Sequence, residues 1–402
     1  GPMSRGLGDV YKRQVQTHLS TISSSTQEFF SGIWITKAYA LETKTEEKFL
    51  DLANDQRKKR LDLSKIQAFF HPLMLLLIGI SNIIVIYVGG KQYMNGEIEN
   101  LGTIAEFIIY VNMLTWPVAS IGWVTSLIQE ADASQKRINE FLKQTPTIVN
   151  RTEVESNIEG SITFKNVYFT YEDTNIEALK GISFKVKKGQ TLAIIGNTGS
   201  GKSTILELIG RLHDIKKGQI EVDDNPIKNL NLNSLRSSIG FVPQDPFLFS
   251  DSLMNNIKFG VNKATDKQVT EASKMAAVHD NIINFKDGYN TVLGERGITL
   301  SGGQKQRVSI ARAFIKNPQI LLLDDCLSAI DTETEEQILN NIKLVTKGKT
   351  TIIVSHRISS AKNADKIVVL NNGIIIQQGS HEELIIVEGY YKDLYQSQLR
   401  EV

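Results

Sequence analysis

Disulfide bridging is closed to this chain, because its 402 residues include a single cysteine, Cys326. That excludes a stapled extracellular scaffold and fits a reducing compartment. Cys326 follows an Asp-Asp pair at the end of an apolar run, and it reads as a small buried packing residue rather than a reactive thiol. Net charge is nearly absent as well. With 45 Lys and Arg against 44 Asp and Glu, the formal charge is +1, which gives no electrostatic ground for nucleic acid as the main partner. Residues 1–14 lack the apolar run of a signal peptide. Gly1-Pro2 ahead of Met3 reads as an expression remnant or the edge of a partial reading frame, so residues 1–14 are set aside as non-native or a partial leader. No internal repeat or low-complexity tract is visible, which excludes solenoids and arrays. This length exceeds one ordinary core, and two parts are expected.

Those parts differ in texture. Residues 66–90 contain no Asp, Glu, Lys or Arg, and a helix of that length, at about 1.5 Å per residue, spans the ~30 Å hydrocarbon layer. The competing reading is a buried core helix, but such helices seldom stay apolar on every face for so long. A second run, 101–128, is interrupted by Glu106, Asn112 and Pro117. Two crossings return the chain to the side on which it began. Arg57-Lys58-Lys59-Arg60 precedes the first crossing and Lys136-Arg137 follows the second, whereas residues 91–100 between them carry one Lys and two Glu. The positive-inside rule therefore makes both flanks cytoplasmic. Glu106 falls near the outer end of its helix and Asn112 deeper, and both read as satisfied polar groups rather than substrate contacts. Upstream, residues 20–65 fit long polar helices projecting into the cytoplasm, and 129–146 a connecting helix and linker.

From residue 158 onward short β-rich runs alternate with helical patterns, a mixed sheet followed by α/β units. Residues 190–195 form an apolar strand, Gly196-Asn197-Thr198-Gly199-Ser200-Gly201-Lys202-Ser203 fits G-x-x-x-x-G-K-[ST], and Thr204 to Arg211 reads as a helix. In that order the loop's N–H groups can curl around a β-phosphate, Lys202 reaches the β/γ oxygens, and Ser203 can ligate Mg²⁺. Ile320 to Asp324 is a second apolar strand ending in a carboxylate, the expected holder of Mg²⁺ through its water shell. A third, 350–355, places His356 just past its end, where a parallel sheet receives ligands. In Val167-Tyr168-Phe169-Thr170-Tyr171 alternation puts 167, 169 and 171 on one strand face, so Tyr171 can either pack or stack on a base.

Leu300-Ser301-Gly302-Gly303-Gln304 is the most informative stretch, since two glycines and a serine at a helix start can offer backbone N–H groups to phosphate. With it, residues 20–402 resemble the ATP-binding cassette (ABC) family, most strongly from 161 onward. The resemblance implies an exporter-type half-transporter whose first membrane helices are absent: all-α membrane helices over 15–146, the last two of six, followed by an α/β P-loop cassette over 158–402 with antiparallel and helical subdomains. It implies that Tyr171 stacks on adenine, that Thr204 joins the ATP-binding loop, and that Gln244 ligates Mg²⁺ and senses the membrane part. His356 would meet the γ-phosphate and the attacking water. Leu327-Ser328-Ala329-Ile330-Asp331 is similar to the family's D-loop, and residues 291–297 to its X-loop. Residues 31–42 are similar to the cytoplasmic loop whose short coupling helix docks on the partner's cassette; an ordinary amphipathic helix is the plainer reading.

Family geometry also sets Ser301 and the adjoining glycine amides against ATP held by a second cassette, so the resemblance implies a head-to-tail dimer, homo- or heteromeric. The chain departs from the family at Asp325, where the usual general base is Glu. Asp is one methylene shorter, and a tolerated variant and a slow site in an unequal pair both remain open. The implied activity is ATP-driven export of a lipid, peptide or drug-like molecule across a cell (inner) membrane, the cassette lying on the cytoplasmic side. A non-transport ABC ATPase and a regulatory nucleotide-binding subunit are the competing readings.

Overall fold

The computed structural model describes residues 7–400 other than 262, 295–299 and 329, and the chain divides into two compact units, Gly1–Gln144 and Thr145–Val402. The first is helical throughout: α1 (Leu7–Ser31), α2 (Ile33–Ala38), α3 (Glu42–Met94) and α4 (Gly102–Leu142). Helix α1 begins inside the stretch set aside on sequence grounds. It lies against α3, where His18 Nε2 sits 2.5 Å from Asp55 Oδ2 and Lys59 Nζ 2.7 Å from the same oxygen. Residues 31–42 do contain a short helix, α2, which leaves Trp34 80% exposed and Ile35 and Tyr39 exposed beside it.

Helix α3 runs through Pro72 without a break. Within it, Pro72–Met94 has a mean hydropathy of 2.3 and no buried residue, the opposite of a soluble core helix, and among the described residues it is the one helical stretch apolar and long enough to cross a bilayer. The noisier run 101–128 falls on α4 from Gly102 onward. Asn112 Nδ2 donates to Ile108 O at 2.7 Å, so its amide is satisfied by its own helix.

The second unit contains β1 (Ile162–Thr170), β2 (Glu177–Val186), β3 (Thr191–Gly196), α5 (Lys202–Ile209), β4 (Lys217–Val222), β5 (Asn225–Pro226), α6 (Leu232–Ser238) and β6 (Ile239–Val242). There follow α7 (Leu253–Lys258), α8 (Asp266–Met275), α9 (His279–Ile283), α10 (Gly302–Ile315), β7 (Ile320–Asp324), α11 (Thr332–Val345), β8 (Thr350–Val354) and α12 (Ile358–Ala361). The chain closes with β9 (Lys366–Asn371), β10 (Ile374–Gly379), α13 (His381–Ile386) and α14 (Tyr390–Arg400). One sheet, in the order β2-β1-β4-β5, is antiparallel; the other, β10-β9-β3-β8-β7-β6, is parallel apart from β10.

The pleat explains why β3, β7 and β8 are apolar at successive positions. Leu192 and Ile194 join the core shared with the antiparallel sheet, whereas Ala193 and Ile195 pack beneath α12, α13 and α14. A third cluster joins Leu321, Leu323 and Ile353 of the parallel sheet to Val308 and Ala311 of α10 and Val269 of α8. The phosphate loop and α10 therefore stand over different cores. In β1 the expected alternation holds for Val167 and Phe169, but Asn166 at φ 48° introduces a register shift and the strand ends at Thr170, so Tyr171 lies just beyond it.

Candidate active site

The phosphate loop forms because two glycines tolerate what no other residue would. Gly196 has φ +156° and a Cβ there would stand 2.0 Å from Leu370 O; Gly201 has φ +98° and its Cβ would meet Ala178 O at 2.5 Å. Gly199, by contrast, has nothing within 4 Å of a Cβ position and opens the loop to the cleft. We expect Gly201→Ala to destabilise the second unit by roughly 2 kcal/mol or more, from the left-handed backbone and the carbonyl clash together. A thermal melt, compared with the parent with and without ATP, checks this.

Lys202 is only 6% exposed, and its Nζ donates at 2.9 Å to both Gly196 O and Asn197 O. Burial pulls its pKa down, while Asp325 and Asp324 hold it up. Ser203 Oγ donates to Asp324 Oδ1 at 3.0 Å, bringing the loop hydroxyl and the strand-end carboxylate together. Ser200 Oγ is buried and has no hydrogen-bond partner among the described residues. An open glycine, an orphaned hydroxyl and a caged ammonium make a cradle suited to a polyanion.

Asp324 and Asp325 are both buried. Burial pushes each carboxyl above the usual carboxylate range; for Asp325 this is opposed by the charge and backbone N–H of His356, then by Lys202 and Arg357. Asp325 adopts φ +41°, a left-handed conformation in which Asp and Asn are the most tolerant side-chain-bearing residues. Its N–H donates to Val354 O at 2.9 Å, which ties it to β8 and thus to the strand that delivers His356. Burial, and then Lys202, depress the His356 pKa, favouring a neutral imidazole.

These groups line one cleft of about 490 Å³, together with Tyr171, Thr198, Thr204 and Gln244. Tyr171 OH donates to Glu207 Oε2 at 2.9 Å and lies 3.0 Å from Thr204 Oγ1. Its ring meets Phe169 and His213 edge-on, with centroids 4.9 and 5.5 Å away. Glu207 and His213 carried no motif and are additions made by the fold, as are Asn372 and Gly373 at the cleft wall. The described residues hold no cluster of three or more His, Cys, Asp or Glu able to cage a metal. Ser203 and Asp324 would instead suit a hydrated Mg²⁺.

The signature residues lie elsewhere. Ser301 caps α10, its Oγ accepting from Gln304 N at 3.3 Å while Gln304 Oε1 accepts from Ser301 N at 3.0 Å. Leu300 is buried, and Gly302 has open space at its Cβ position. None of 300–304 lines the phosphate-loop cleft. Beside the site, Ser328 Oγ donates to Asp325 O, Ile330 is buried and Asp331 caps α11. Ala329 and residues 295–297 of the X-loop segment lie outside the described residues.

Comparison with known proteins places this geometry. Residues 179–328 match the family described as ABC transporter, and residues 9–118 match ABC transporter transmembrane region. Over 383 residues the chain is 39% identical to the multidrug resistance-like ATP-binding protein MdlA of Escherichia coli (strain K12), covering 95% of this chain and 65% of that protein. It is 36% identical to an ATP-dependent lipid A-core flippase of Syntrophus aciditrophicus (strain SB), covering 96% and 64%. An uncharacterized ABC transporter ATP-binding protein, YknU of Bacillus subtilis (strain 168), is 38% identical, with 97% and 67% covered. The chain thus spans about two thirds of the length of these relatives. A solved bacterial Atm1-family ABC exporter with ATP bound superimposes with a TM-score of 0.87 at 30% identity, covering 97% of this chain and 69% of that one. By its two family matches and by relatives of this identity and coverage, the chain belongs to the ABC transporter family.

Proposed function

We propose that this chain binds and hydrolyses ATP in the cleft around Lys202, as half of a head-to-tail cassette pair that drives export across a membrane. One observation carries the reading. The cleft gathers Lys202, Ser203, Asp324, Asp325, Gln244 and His356, yet the chain's own Ser301 to Gln304 stay outside it. A second cassette supplies the missing wall, and each chain's α10 N-terminus, with its free N–H groups, serves the other's nucleotide.

Within the site, loop amides of 196–204 and the Lys202 ammonium hold the phosphates, and Tyr171 meets the base. Ser203, Gln244 and Asp324 would hold Mg²⁺, which would supply charge neutralisation at the phosphate oxygens. Asp325 accepts the proton of the attacking water, and His356 orients that water and the γ-phosphate. Ser328, Ile330 and Asp331 face the seam between cassettes. Two crossings, 72–94 and a segment of α4, carry the chain through the bilayer with the cassette on the cytoplasmic side. The names of its relatives favour an amphipathic or lipid cargo.

The pairing is tested by complementation. Lys202→Met and Ser301→Arg, each inactive alone, are produced together. A shared site built from two chains restores about a quarter of parental turnover, since half of the pairs keep one intact site of two. Sites built within one chain restore none, and that outcome sinks the pairing.

A second reading rests on Asp325, whose short carboxylate suits a slow site. There the chain pairs with a different half-transporter, and its Ser301 serves the faster site.

A further inference from the structure

The last helix touches both the phosphate loop and the loop that carries His356. Tyr390, Leu394 and Gln398 recur at four-residue spacing on one face of α14, so the first and last stand roughly 12 Å apart along the axis. At one end Tyr390 OH donates to Asn197 Oδ1 at 2.9 Å, in the phosphate loop. At the other, the Gln398 amide grips the main chain on both sides of Arg357: its Nε2 donates to His356 O at 2.8 Å, and its Oε1 accepts from Ile358 N at 2.8 Å.

Among the described residues, neither gripped group has another hydrogen-bond partner. Ile358 is the first residue of α12, whose N-cap position, Arg357, makes no side-chain cap, so its N–H is one of the donors a helix start leaves unpaired. Elsewhere on the loop, Arg357 pairs with buried Glu335 and donates to Ser328 O at 3.0 Å. Helix α14 is itself fixed, because Tyr391 is fully buried, shares a 2.7 Å hydrogen bond with His381 and donates its N–H to Gln377. A side chain presented from so anchored an element can set a loop's position.

We propose that Gln398 is a positioning residue for His356, so that the C-terminal helix, rather than the β8 strand alone, fixes where the histidine meets the γ-phosphate. The proposal rests on the ATP-hydrolysing reading of the cleft. Gln398 touches no substrate. It acts through the peptide of His356, whose N–H also faces the Asp325 carboxylate, so loosening it disturbs histidine and base together while leaving the Lys202 cradle intact.

The test compares Gln398→Leu and Gln398→Glu with the parent chain by amide exchange over residues 355–360 and by steady-state turnover of Mg-ATP. In Gln398→Leu the Ile358 amide exchanges faster, and kcat falls by about tenfold while KM stays within about twofold, the pattern of a misplaced catalytic group. Gln398→Glu keeps an acceptor for Ile358 N but turns an oxygen toward His356 O; its exchange stays near that of the parent and its kcat lies between the two. Unchanged exchange in Gln398→Leu overturns the clamp. Faster exchange with unchanged kcat, or a kcat that returns to the parental value once turnover is divided by the folded fraction, overturns the positioning role. A parent chain with no turnover in any pairing sinks the hydrolysis reading, and the role falls with it, an outcome visible before any variant is compared.

Discussion

Lys202→Met should lower ATP turnover by about a thousandfold in assemblies of this chain with itself, close to 4 kcal/mol of transition-state stabilisation. The ammonium is the cation nearest the loop's own carbonyls, and in the cradle it is desolvated, so its attraction for phosphate is stronger than at a surface. Methionine keeps the length and removes the charge. Lys202→Arg should fail as well, since a planar five-donor fork cannot replace a point charge enclosed by Gly196 O and Asn197 O. Phosphate release measures the loss. The thermal midpoint is the control: replacing a buried cation by an apolar chain of similar volume should leave it unchanged or raise it. A Met variant that hydrolyses ATP at even a tenth of the parental rate would remove Lys202 from the mechanism.

What the sequence disclosed follows the same physics. Strands β3, β7 and β8 were legible because cores cover both faces of the sheet, which leaves runs with no polar interruption. The phosphate loop was legible because its glycines occupy fixed offsets in a fixed order. Tyr171 was legible as a residue but not in its surroundings. The strand ends one residue before it, at Thr170, and the ring's partners Glu207 and His213 come from the far end of α5 and beyond it. The short helix α2 lay within the expected segment, while the unbroken course of α3 through Pro72 overrode a residue that usually ends helices. Gln398 could not have been found, because its contact with His356 joins positions 42 residues apart through a helix that carries no phosphate motif.

Asp325 carries the second large effect. Asp325→Asn keeps the shape, and Asn is as tolerant as Asp of φ +41°, but it cannot accept a proton; turnover should fall by about a hundredfold. Asp325→Glu makes two opposed changes. The extra methylene brings the carboxylate nearer the water, where an ångström of misplacement can be worth on the order of 10²-fold in rate. Against this, Glu tolerates the left-handed backbone less well, at roughly 1 kcal/mol of stability. The geometric gain should prevail, giving about tenfold faster turnover from a slightly less stable chain. The pH profile gives a separate check. A base works only when ionised, and burial has raised the Asp325 pKa, with His356, Lys202 and Arg357 opposing the rise. Turnover should therefore decline on acidification at a higher pH than an ordinary carboxylate would allow, and that acid limb should vanish in Asp325→Asn. Equal rates and equal profiles in all three forms would take Asp325 out of catalysis. If instead the chain is paired with a second cassette bearing Glu at this position, the two substitutions cease to be equivalent: Ser301→Arg removes the faster site, Lys202→Met only the slower, so the signature of this chain governs turnover at a nucleotide it does not itself hold.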